Sequence, residues 1–114
     1  MTEQYVIAFK MREESYGGSS EEATYMLTDQ IIPSLEMLEG WEKEHRVMGG
    51  FFEGQRSGTI IVEAEDDMEL DRMLASLPMM GVYDVDVAPV QRIGSALDRD
   101  RRIVREMRAA AGLL

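Results

Sequence analysis

Cysteine is missing from this 114-residue chain, so no disulfide framework is possible and a reducing, cytoplasmic location is the expectation. Histidine occurs once. Without clustered Cys or His, a metal site would fall to Glu63, Asp84 and Asp86 alone, at a spacing that matches no metal-binding loop, so no metal is expected. Basic residues are scarce as well: 12 Lys and Arg against 22 Asp and Glu give a net charge of −10. A phosphate backbone would be repelled by that field, which argues against a nucleic-acid partner. No apolar run approaches the span of a bilayer, and Met1-Thr2-Glu3-Gln4 lacks the basic start of a signal peptide, so no membrane association is expected. No glycine-rich phosphate loop, internal repeat or low-complexity tract is present. These absences leave a single soluble domain, able to bury roughly two-thirds of its unfolded surface, with a small-molecule or protein partner.

The stretch from Gly58 to Val90 organises the rest. Thr59 to Glu65 is β-branched and ends at the acidic pair Asp66-Asp67, which predicts a strand running into a helix cap. The period then changes. Leu70, Met73, Leu74 and Leu77 form a helical stripe, with Asp66 and Glu69 spaced as a capping box and Pro78 as the stop. Tyr83, Val85 and Val87 next alternate with Asp84, Asp86 and Ala88, so the last strand has two unlike faces and Tyr83 is expected under the helices.

Upstream, Tyr5, Ile7, Phe9 and Met11 alternate with Val6, Ala8 and Lys10, a first strand of about seven residues. Residues 13–20 hold Gly17-Gly18 and read as a mobile loop of the kind that gates a site, with Ser19 and Glu22 opening a helix. Pro33 should kink or restart that helix and Gly40 should close it, leaving residues 41–44 as a connection. The second strand is read from His45 to Glu53, with a bulge or close backbone approach at Gly49-Gly50. Residues 54–58 then form a hairpin loop. The order strand, helix, strand, strand, helix, strand is the α+β, ferredoxin-like βαββαβ plan. A third helix, opened by Ser95 and Asp98, should follow, with Ile103, Val104, Met107, Ala110, Ala111 and Leu114 on one side and arginines 99, 101, 102, 105 and 108 largely on the other. The chain thus divides into a domain over 1–93 and a helical extension over 94–114. That extension should pack on protein, across a subunit boundary.

Two helices cover only one face of a four-stranded sheet. The other should carry Val6, Ala8, Lys10, Ile61, Glu63, Asp84, Asp86 and Ala88, a mixture suited neither to full solvation nor to a dry contact. A cavity between two such sheets accommodates both, so a homodimer or higher homo-oligomer is expected.

The run Val62-Glu63-Ala64-Glu65, Glu69-Leu70, Leu74, Ser76-Leu77-Pro78 and Asp84-Val85-Asp86-Val87 to Pro89-Val90 resembles the muconolactone isomerase family of dimeric α/β-barrels. The likeness spans residues 5–93, with its strongest part from 60 to 90. Arg46 and Gly49 match the family's R-x-x-G, and Lys10 stands where the family has a basic residue. The resemblance implies a ferredoxin-like subunit, paired sheets forming a barrel, and a proton shift within an unsaturated lactone without cofactor. Departures are Gly50 in place of the family's acid, a longer hairpin and the extra tail helix.

A proton shift along a conjugated lactone needs a base, an acid and a donor for the enolate oxygen. Glu63, Asp84 and Asp86 are the candidate carboxylates, and they should share one volume. His45 is a candidate proton shuttle, and Lys10 or Arg46 could hold an enolate or a substrate carboxylate. The same acids could instead pair with Lys10 and Arg46 as structural ion pairs. The methionines, among them Met26, Met37, Met73 and Met107, read as adaptable core filler. The expected function is therefore a cofactor-free isomerase or cyclase resembling muconolactone isomerase, acting on an unsaturated lactone or polyketide-like small molecule in the barrel cavity. A non-catalytic binding or assembly protein and a cofactor-free monooxygenase on the same fold are the alternatives.

Overall fold

The computed structural model describes residues 2–112, so Leu114 of the tail stripe lies outside the described residues. Four strands, β1 (Glu3–Met11), β2 (Val47–Phe51), β3 (Ser57–Ala64) and β4 (Tyr83–Pro89), form one sheet in the order β2-β3-β1-β4 with every neighbouring pair antiparallel. Helices α1 (Ser20–Tyr25) and α2 (Ile32–Lys43) lie between β1 and β2, α3 (Asp67–Ala75) lies between β3 and β4, and α4 (Ile93–Ala110) follows β4. The chain is α+β, and this order is compatible with a ferredoxin-like subunit. Among the described residues no helix is long and apolar enough to cross a membrane.

The period-two alternation of β1 decides which face is covered. Tyr5, Ile7, Phe9 and Met11 are buried and join Ile60 and Val62 of β3, Tyr83 of β4, and Leu38, Leu70, Met73 and Leu74 of the helices in one core. The opposite face carries Val6, Ala8, Thr59 and Ile61, all half-buried, among exposed Lys10, Met48, Asp84 and Asp86. Helices therefore shield one face only.

Local signals explain most of the joints. Ser19 accepts the Glu22 amide at 3.1 Å and Asp66 accepts the Glu69 amide at 2.9 Å, the two caps expected from their spacing. Before Pro33 the chain winds as a π-helix over Met26–Ile31 and resumes as α2 at Ile32, which accommodates a residue with no amide to donate. Ser34, fully buried, donates to the Gln30 carbonyl at 2.7 Å and accepts the Met79 amide at 2.8 Å, pinning the proline region to the turn that precedes β4.

Two expectations need correction, and a third resolves to one of its alternatives. Gly40 does not close the helix: α2 runs on to Lys43 through Trp41, and the stop is His45, which adopts φ 61°. The amides of His45 and Arg46 reach back to the carbonyls of Glu42 (3.0 Å) and Trp41 (2.9 Å), a Schellman closure with histidine in the left-handed position that usually takes glycine. At Gly49-Gly50 the β2–β3 register is continuous, so there is close approach without a bulge: a Cβ on Gly49 would sit 2.5 Å from the Thr59 carbonyl oxygen. Finally, α4 begins at Ile93 behind Arg92, and Ser95 lies inside it with no capping bond at the helix start.

Candidate functional site

Strand register sorts the six site residues read from the sequence into two groups. On β1, Gln4 faces Glu63, Ala8 faces Asp86 and Lys10 faces Asp84. Glu63 and Asp86 are therefore separated by about 14 Å along the strands and by two strand spacings, about 10 Å, across them. Within one chain Glu63 does not share a volume with Asp84 and Asp86, because β1 lies between β3 and β4 and the carboxylates face different stretches of it.

Glu63, His45 and Arg46 do meet, around a hollow of about 270 Å³ that Gln4 and Met48 also line. Gln4 donates to Glu63 at 3.3 Å. Arg46 turns to α3, ion-paired with Glu69 and 3.3 Å from the Met73 sulfur. His45 is there as the helix terminator described above. Replacing it with glycine removes the cost of a left-handed non-glycine residue, so His45→Gly should raise stability by about 1 kcal/mol; a lowered thermal midpoint would show that the imidazole itself holds the structure. At the far end, Asp84 is bound by Arg12, whose Nε donates at 2.8 Å while Nη1 donates to the Gly81 carbonyl at 3.1 Å.

A larger concavity lies elsewhere, on the helical side at the end of β1. It is a groove of about 650 Å³. Met11, Met26 and Val82 supply apolar surface, Tyr16 and Tyr25 stand exposed at its mouth, and Glu14, Glu21, Glu22 and Arg56 are its charged lining. Its parts are fixed from three directions. The Met11 amide donates to the Arg56 carbonyl at 3.2 Å, which draws the β2–β3 hairpin up to β1. The Arg12 amide donates to Val82 at 3.0 Å and fixes the segment before β4. Ser19 caps α1 and brings Glu22 back over Gly18, where a Cβ would meet the Glu22 carboxylate at 2.8 Å.

Charge and burial oppose one another nearby. Burial pushes the Tyr83 phenol above its ordinary range, the Arg56 guanidinium pulls the other way, and Tyr16 adds a smaller upward push. Arg56 is the cation among the described groove residues, set against an acidic rim. The sequence points here only through the Gly17-Gly18 loop beside a strand end; Arg56 sits in a hairpin with no motif of its own. No protein-family model matches the chain, and no curated protein matches it.

Proposed function

We propose that the protein is a cofactor-free isomerase or cyclase resembling muconolactone isomerase, which takes a small unsaturated lactone or polyketide-like carbonyl compound into the groove beside β1. The observation that supports this most is the pairing of an apolar groove with the Arg56 guanidinium and the carboxylates of Glu14 and Glu22. A carbonyl compound seats its carbon skeleton on Met11, Met26 and Val82. One carboxylate removes the proton next to the carbonyl, the electron pair moves onto oxygen, and Arg56 holds the enolate charge that develops. The carboxylic acid so formed exchanges its proton with water and returns one at the other end of the conjugated system, so solvent hydrogen enters the product and no external oxidant or reductant is required. The working unit is a homodimer in which the open sheet faces meet and cover Val6, Ala8 and Ile61.

Deuterium exchange into unsaturated lactones in heavy water tests this reading. Arg56→Met and Glu22→Gln should each slow exchange on the order of a hundredfold with an unchanged thermal midpoint. Parallel Glu63→Gln, Asp84→Asn and Asp86→Asn variants should exchange like the parent; loss there instead would move the chemistry to the sheet face. The distance between Glu63 and Asp86 within one chain favours a second reading, a binding protein without catalysis. Lactones that bind in the groove and never exchange would establish that one.

A further inference from the structure

Helix α4 has an apolar side and nothing on it. Every residue from 97 to 110 is exposed, and the molecule measures 71 Å by 28 Å by 25 Å because this helix stands away from the domain. At 3.6 residues per turn Ile93, Leu97, Val104 and Met107 line one side, with Asp100 among them. Most of a helix's stability in a protein comes from packing its apolar face, so this unpartnered stripe calls for a surface to lie on.

Two observations choose that surface. The first is how α4 leaves the domain. The Val90 amide is bonded to the Gln4 carbonyl at 2.8 Å, and on the helix side the Ala96 amide bonds Arg92 while Arg99 bonds the Gln91 side chain. Gln91 and Arg92 join the two, and the helix projects from the end of β4 instead of lying on the domain. The second is charge. Arginines 99, 101, 102, 105 and 108 outnumber Asp98, Asp100 and Glu106, so the helix is basic and the remainder of the chain is more negative than the −10 of the whole. Two such helices repel each other, and an anionic lipid surface would repel the domain they carry. An acidic protein surface suits them.

The domain has one of matching form between α2 and β2. Leu35, Leu38, Val47 and Phe51 line a shallow groove of about 160 Å³, Glu39 and Glu42 border it, and Gly49, on the same face of β2 as Val47 and Phe51, places no side chain over it. We propose that α4 of one copy lies in the α2–β2 groove of a second copy, with Leu97 and Val104 on the Leu35 side and Arg101 and Arg105 toward Glu39 and Glu42. Exchanged reciprocally about a two-fold axis, the contact forms twice. It stands apart from the catalytic groove beside β1, and either assignment can fail without the other.

The absence of native cysteine makes the test direct. Full-length Val104→Cys and Leu35→Cys proteins are mixed and treated with a short thiol cross-linker, with Glu39→Cys replacing Leu35→Cys if the latter fails to fold. A mixed covalent dimer is the expected product. Its yield should drop about tenfold with Arg101→Glu and Arg105→Glu on the arm and return when Glu39→Arg and Glu42→Arg are placed on the partner. Dimers from Val104→Cys alone with no mixed product would show arm pairing with arm. A monomer-mass cross-link in the Val104→Cys, Leu35→Cys double variant would show a folded-back helix. Co-sedimentation with phosphatidylserine vesicles without the mixed product would show a membrane helix. Each of these three results overturns the proposal.

Discussion

Gly58→Ala should destabilise the protein by about 3 kcal/mol or more, a fall of roughly 10 °C in thermal midpoint, while Gly50→Ala on the facing strand should leave it within about 0.5 kcal/mol of the parent. One methyl group separates the two outcomes. A Cβ on Gly58 would lie 2.4 Å from the Gly50 carbonyl oxygen and 2.6 Å from the Phe51 Cα. Both are backbone atoms of β2, so no side chain can rotate aside and the strands would have to part. At Gly50 a Cβ meets nothing within 4 Å, and alanine there even restricts the unfolded chain, a small gain. The resemblance places an acid at position 50, and the open space is large enough that Gly50→Glu should also fold. Calorimetry on the two alanine variants decides the matter; equal midpoints would mean that β2 and β3 yield far more easily than their register suggests.

The sheet was legible in the sequence because its signals are local. Alternation along Tyr5–Met11, the caps at Ser19 and Asp66 and the stop at Pro78 each depend on residues within one turn or strand, and the structure has all of them; on β4 the alternation holds at Tyr83 and Val85 and is lost at Val87, which is exposed. The end of α2 was not legible, because a mid-helix Gly40 looks like a terminator and a histidine in the left-handed position does not. Convergence of side chains is a different kind of quantity. Glu63 and Asp86 belong to one face by parity, as alternation requires, yet their distance follows from register and strand order, which no spacing in the chain encodes. The groove was harder still: Met11, Arg56 and Val82 come from three separate segments joined by backbone bonds. The amphipathic tail was plain as a helix, and its exposure along the whole length is what the sequence alone could not supply.

Phe9→Ala should cost about 3–5 kcal/mol, comparable to or above the loss at Gly58. Phe9 sits on β1, an interior strand, opposite Gly58 on β3, and Gly58 in turn faces Phe51 on β2. Side chains two strands apart normally stand about 10 Å from one another. Here the missing side chain at Gly58 lets the Phe9 and Phe51 rings close over the gap, stacked at 6.2 Å, with the Tyr83 ring edge-on to both at 6.3 Å. Aromatic cover of a strand glycine replaces the packing that residue cannot supply. Removing Phe9 therefore takes away a buried ring, two aromatic contacts and the cover over Gly58 at once, and no neighbouring backbone can move in without breaking the β1–β3 ladder. Phe9→Leu keeps most of the volume and should cost less than half as much. Because Met11 follows on the same face and supplies apolar surface to the groove, Phe9→Ala should also weaken lactone binding at temperatures where the variant is still folded. Denaturant melts give the first quantity and titration calorimetry the second. Phe9→Ala melting within about 1 kcal/mol of the parent would show that the three rings merely coincide in space and that the sheet is held by its aliphatic neighbours.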